Sequence, residues 1–359
     1  MDEQIADRIE RWLLSSAIQV RTGPEGGGVA GWLDACGKPV FAYPEITGYY
    51  LTCLSFMRRI GRRDERIASN AQRAVAWLHA KSRDATLRTR YYLRSDVADW
   101  RNEAEFSFDL AMVLRGLANV KGMVDEGARS EAEAAFQQRF CRFVTSTGEI
   151  APCRALNGVN SPDRWSTRPG SFQLKTAAAL LCTGSLRESG RKTIDNTFNR
   201  WRSHRSVNGD ERHATMYALE GLILFGLRGC EDALKAAAAL YAQCARRVTT
   251  ARSDVVAQFL RAGCVLRSRG FLTPAQCAQL DPLAETLSHF SDEDGAVYYS
   301  LAEPPPLRHR NAWCAMFAYQ AFMSYRGSET GSAGFVQQTA EEGLHRPRSA
   351  PPLAHELLI

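Results

Sequence analysis

Lysine is scarce in this chain: 359 residues carry only six, and the rest of the 45 basic residues are arginines spread along its length. The net charge of +6 therefore reads as a compositional preference. A nucleic-acid binder would cluster its cations and interleave aromatics for stacking. Short runs such as Arg58-Arg59-Ile60-Gly61-Arg62-Arg63 do not, so no nucleic-acid partner is expected. Long hydrophobic runs are missing as well. None approaches the roughly 18 to 20 residues that cross a bilayer, and the amino terminus is acidic and amphipathic where a secretory signal is basic and then apolar. A cytoplasmic protein with no membrane partner is the expectation. The ten cysteines stand singly, with no CxxC pair and no His at zinc-finger spacing, which argues against a disulfide framework and against a metal site. There is no GxSxG elbow, P-loop, Rossmann glycine fingerprint or HExxH, which sets aside hydride transfer, nucleotide hydrolysis and thermolysin-type zinc chemistry.

What is present is helix. Hydrophobic residues make up 45% and charged residues 23%, ordinary values for a folded globular chain. Residues 2 to 21 place Ile5, Ile9, Trp12, Leu13 and Ile18 on one stripe, the pattern of an amphipathic helix. From Glu45 to Ile60 the chain is apolar nearly all round, the mark of a helix buried on most sides. The alternation continues, with buried segments near 104–120, 170–184, 212–227, 251–267 and 310–325, and amphipathic ones near 67–81, 127–146, 188–203, 230–246 and 273–289. Six helices of each kind predict an all-α fold, an inner ring of six enclosed by an outer ring of six, the (α/α)6 toroid. An open array of helical hairpins is the alternative. Strand signals are confined to short stretches near 38–43 and 296–299, read as β-hairpins in loops. One toroid domain is expected over 1–326, with a Gly/Ser/Pro-rich, disordered tail over 327–359.

Connections into the buried helices are long (22–44, 82–103, 147–169, 290–309) and connections out of them are short. Long loops without helical pattern carry function, so a cleft is expected on the face where the inner helices begin. Glu45 follows Pro44 at the first of these starts, as a general acid, a sugar-hydroxyl ligand or a helix-dipole partner. Tyr43 and Tyr49 beside it suit stacking on a sugar ring or packing in the core. Asp109 lies in a hydrophobic run, where burial raises a carboxyl pKa toward proton transfer or demands a structural partner. His213, Tyr217 and Glu220 fall at i, i+4 and i+7 on one helical face, with His213 as a proton carrier that Glu220 orients. The Pro304-Pro305-Pro306 run delivers His309, Arg310 and Trp313 toward the same mouth, where arginines suit an anionic group on a ligand. Arg168, after Trp165, is a further substrate-binding candidate.

At YPEITGYY (43–50) and RHATMYALEGL (212–222) the chain resembles the six-hairpin glycosidase superfamily and is similar to toroid proteins of polysaccharide-biosynthesis clusters. The resemblance covers roughly 25–325. It lacks the DxDD acid of squalene-type cyclases and the Cys and Cys-His-Gly set of lanthipeptide cyclases. Relatives of N-acylglucosamine 2-epimerase and cellobiose 2-epimerase imply catalytic histidines at His213 and His309. The sequence around His309 does not reproduce their second motif cleanly. Inverting glycosidases of the fold imply instead Glu45 as acid, with Asp109 or Glu220 as base. Three readings follow: a cofactor-independent epimerase or isomerase acting on a saccharide or sugar-like substrate, a glycoside hydrolase, and a toroidal scaffold without chemistry. The first needs no metal. The oligomeric state stays open, a homodimer included.

Overall fold

Helices of two characters alternate along the chain, and each character follows from how the apolar residues are distributed. The computed structural model describes residues 2–15, 17–94, 97–156, 162–181, 183–203, 212–245, 252–304 and 308–329. In chain order the first helices are α1 (Asp2–Leu14), α2 (Pro44–Arg59), α3 (Glu65–Ser82), α4 (Ser107–Asn119), α5 (Glu126–Cys141), α6 (Gln173–Leu180) and α7 (Arg187–Ser203). There follow α8 (Arg212–Gly226), α9 (Glu231–Ala245), α10 (Ser253–Ser268), the short α11 (Pro274–Cys277), α12 (Leu280–Ser288) and α13 (Ala312–Glu329). Residues 44–57 of α2, 107–117 of α4 and 253–266 of α10 are buried without interruption. Helix α3 buries one stripe, running from Ile67 through Ala71, Ala74 and Val75 to Leu78.

The all-round apolar helices touch one another in the order α2, α4, α6, α8, α10, α13, and α13 returns to α2. That closure makes an (α/α)6 toroid, with α1, α3, α5, α7, α9 and α11–α12 as the outer members. Close approach within the ring depends on glycine. A Cβ at Gly48 of α2 would lie 2.5 Å from the Met112 carbonyl oxygen of α4, so only hydrogen fits there. The expected first helix is shorter than its apolar pattern. It stops at Leu14, where the Ser15 hydroxyl bonds the Trp12 carbonyl (2.7 Å), and Ile18 is buried from the following loop, whose carbonyl accepts from Ala30 N.

The strands tie loops to one another. Strand β1 (Trp32–Leu33) pairs with β6 (Arg310–Asn311), β2 (Phe41–Ala42) with β3 (Tyr91–Tyr92), and β4 (Ala104–Phe106) with β5 (Cys153–Ala155). Local hairpins also occur, as the bridges Leu33–Pro39 and Ser291–Val297. All these pairs lie on the face where inner helices begin, and they hold the long loops over it. Among the described residues no helix is long and apolar enough to cross a membrane. Helix α13 runs past the expected boundary at 327 to Glu329, and the rest of the expected tail, 330–359, lies outside the described residues. So does the Pro305–Pro306 pair.

Candidate active site

Inner helices α2, α4 and α10 start without side-chain caps, and the first turns of α2, α4, α8 and α13 meet at one cavity of ≈ 240 Å³. Pro44 opens α2, having no amide hydrogen to leave unsatisfied, and Glu45 follows it. Asp109 sits in the first turn of α4. Glu45 and Asp109 are buried neighbours in this wall, with Tyr43 beside both. Burial pushes both above the ordinary carboxyl range, Asp109 further because the Glu45 charge adds to it. Lys175 beneath opposes the shift at Glu45.

The first turn of α8 brings His213 to the same cavity. Its ring meets Tyr217 edge-on at 4.3 Å and Trp165 at 5.9 Å, and Tyr217 in turn lies 4.5 Å from Phe108. Burial against these rings lowers the imidazole pKa to about 4. Asp254, in the first turn of α10, opposes that shift, with its Oδ2 3.4 Å from His213 Nδ1. Asp254 is itself fully buried and ionised, since His213 and Arg252 offset the cost of burial; Arg252 grips it at 3.0 and 2.6 Å. The cavity thus presents an imidazole and a carboxyl pair that burial biases toward their uncharged forms.

The opposite wall comes from loops. The β2–β3 ladder lays the 83–106 segment across the start of α2, and Asn102 pins Arg90 by accepting its amide (2.8 Å) and donating to its carbonyl (3.0 Å). Asp99 caps the 3-10 turn at 100–103 through the Arg101 amide and accepts from the Arg90 and Arg101 guanidiniums at 3.0 and 3.2 Å. Burial works against that carboxylate; the Arg101 amide and the two guanidinium charges nonetheless hold it below its usual range. Trp100, Arg164, Trp165 and Trp313 complete the lining. Among the described residues no three His, Cys, Asp or Glu side chains gather into a set fit for a metal ion.

Of the residues expected from sequence, Glu45, Asp109, Tyr43, His213, Tyr217 and Trp313 line this one cavity. The others are elsewhere. Tyr49 is buried below it, accepting from Lys175 Nζ at 3.3 Å. Glu220 shares the His213 face of α8 but lies in the core, where it accepts from Lys175 at 2.7 Å, Gln258 at 3.1 Å and the Arg261 guanidinium, so it does not orient His213. His309 is exposed, its ring tilted over Trp32 at 5.1 Å and outside the cavity wall. Arg310 is taken up by Asp292 (3.1 Å) and Asp294 (3.5 Å), and Arg168 is exposed beside Asp163 (3.0 Å). Sequence reasoning missed Arg90, Arg101, Arg164 and Trp100 and gave Asp254 no role. The Asp-Trp-Arg-Asn run at 99–102 was the available signal, a polar turn in a long loop.

No family model matches the sequence, and no curated protein sequence matches it. Solved structures do match in shape. The chain superposes on a D-mannose isomerase with TM-score 0.68 and 13% identity, over 92% of this chain and 97% of that one. An unsaturated glucuronyl hydrolase specific for heparin gives 0.63 and 13%, over 92% and 99%. The cellobiose 2-epimerase from Spirochaeta thermophila gives 0.63 and 14%, over 91% and 95%. At such identities the likeness is one of architecture: the chain has the six-hairpin toroid fold of these enzymes.

Proposed function

We propose that the cavity is the active site of an isomerase or epimerase that moves a proton beside the carbonyl of a saccharide or sugar-like substrate. One observation carries this reading: His213 and Asp109 face the same aromatic-lined space, where burial favours the imidazole without a proton and the carboxyl with one. Proton abstraction from carbon needs a base free of its own proton and an acid that neutralises the oxygen where charge develops. His213 takes the proton from the carbon next to the carbonyl, and Asp109 gives its proton to the carbonyl oxygen. Return of a proton to the same carbon on its other face, with the new hydroxyl's proton going back to Asp109, yields the epimer; return to the former carbonyl carbon, with Asp109 taking the proton of the neighbouring hydroxyl, yields the isomer. Asp109 thereby fills the second proton-carrying role that the sequence offered to His309. Trp100, Trp165 and Trp313 supply flat apolar faces for a sugar ring. Structural neighbours named as a mannose isomerase and a cellobiose epimerase agree with that substrate class.

Convergence of His213, Glu45 and Asp109 favours an active site over a bare scaffold. Glycoside hydrolysis is the second reading, and burial that favours a proton on Asp109 supports it. Its original assignment changes, because a water-mediated inverting reaction wants carboxyls about 6.5–9.5 Å apart. Here Glu45 and Asp109 are immediate neighbours in one wall, and Glu220 lies below the cavity. Asp109 becomes the donor, with His213 activating water. Incubation with a panel of free sugars in deuterated water tests both readings. Solvent deuterium is expected on the carbon beside the carbonyl and is expected to vanish in His213→Gln. Exchange that survives this substitution rejects the assigned base, and bond cleavage without exchange promotes the hydrolase.

A further inference from the structure

The arginine wall has more charge than its own carboxylates answer. Three guanidiniums, from Arg90, Arg101 and Arg164, line one cavity, and the only acids in that lining are Glu45 and Asp109, both shifted by burial toward the uncharged form. Asp99 stands behind the wall, already engaged by Arg90, Arg101 and the Tyr92 hydroxyl (3.1 Å). Arg164 has no carboxylate partner among the described residues. Arg90 is partly buried, its guanidinium held over Phe41 at 4.7 Å and bonded to Asp99 at 3.0 Å. Arg101 and Arg164 lie over Trp100 at 4.8 and 5.8 Å. Stacking occupies the face of a guanidinium and leaves its in-plane hydrogens for bidentate contact with carboxylate or phosphate.

We propose that Arg90, Arg101 and Arg164 form a subsite for an anionic group on the sugar, a carboxylate or a phosphate, placed across the cavity from His213 and Asp109. The proposal rests on the saccharide reading above and narrows it. Hydroxyls of a neutral sugar are satisfied by amides and single charges, whereas uncompensated cations in a cleft are costly unless an anion completes them. Arg310, the cation first expected to serve a ligand, is neutralised by two aspartates and has no such need.

Calorimetric titration of the full chain with uronic acids, hexose 6-phosphates and their neutral parent hexoses tests the subsite without requiring turnover. At least one anionic series is expected to bind roughly 10-fold or more tighter than its parent, and which series does so identifies carboxylate or phosphate. The double variant Arg101→Gln/Arg164→Gln, at one half-buried and one exposed position, is expected to fold, checked by cooperative thermal unfolding, and to lose most of that margin while keeping the parent's affinity. Neutral hexoses binding as tightly as both anionic series would overturn the subsite and leave the saccharide reading standing. An anionic margin that survives in the double variant would overturn its location. Binding of no sugar, neutral or anionic, to the folded protein would overturn both.

Discussion

Outer helices α3, α5 and α11 begin differently from the inner helices α2, α4 and α10. The outer three begin on their own side chains: Asp64 caps α3 through Arg66 N, Asp125 caps α5 through Ala128 N at 2.8 Å, and Thr273 forms a capping box at α11. The inner helices α2, α4 and α10 follow Tyr43, Phe106 and Arg252, none of which caps. Their polar residues have moved one step inward. Glu45, Asp109, Lys175, His213, Asp254 and Trp313 each occupy the first turn of a different inner helix. A cap satisfies a local amide and stabilises its own helix, whereas a first-turn residue on an inner helix faces neighbours from other helices. The same amino acid, aspartate, thus caps its own helix in one ring and, as Asp109, lines the shared cavity in the other.

Substitutions in the two rings should therefore separate activity from stability. The largest effect is expected at His213: His213→Gln should lower the exchange rate about 10²–10⁴-fold, read by deuterium incorporation, with the far-ultraviolet circular dichroism unchanged. Next comes Glu220, an inner-ring acid buried with Lys175 and Arg261. Glu220→Ala leaves two cations uncompensated and should cost about 3–5 kcal/mol in urea unfolding. A third effect is pH-dependent. Folding lowers the His213 pKa to about 4 from its ordinary value of 6.5, so the unfolded chain binds the proton first. The contribution is intact above pH 6.5 and is lost as pH falls toward 4, about 2–4 kcal/mol in all, and His213→Gln should flatten that part of the urea-midpoint profile. The smallest effect belongs to the outer ring, where Asp64→Ala should cost ~1 kcal/mol and leave kcat/KM unchanged.

Periodicity carried the ring itself, because a helix buried on all sides reads differently from one buried on a stripe, and twelve such segments alternate. Site residues were legible wherever they stand at a helix start, as Glu45, Asp109 and His213 do. Depth was not legible. Glu220 shares a face with His213, but seven residues of helix carry it roughly 10 Å along the axis and out of the cavity into the core. Orientation in loops was equally hidden: nothing in the sequence around His309, Arg310 or Arg168 says which way a side chain turns. Arg90 and Arg101 reach the cavity through the β2–β3 pairing and the Asp99 and Asn102 contacts, all of them tertiary.

Strand β1 pairs Trp32 with Asn311, and Ala312 N donates to the Gly31 carbonyl at 3.1 Å, fastening the last inner helix to the loop before the first. Tyr43 and Trp313, from near opposite ends of the described chain, stand in one cavity wall because of that stitch. During synthesis on the ribosome the wall is absent until the final helix emerges. Contacts so remote in sequence are also slow to assemble. A nascent or prematurely terminated product consequently has no partial competence, and any chemistry of this protein switches on only when the loop-to-helix seam has closed.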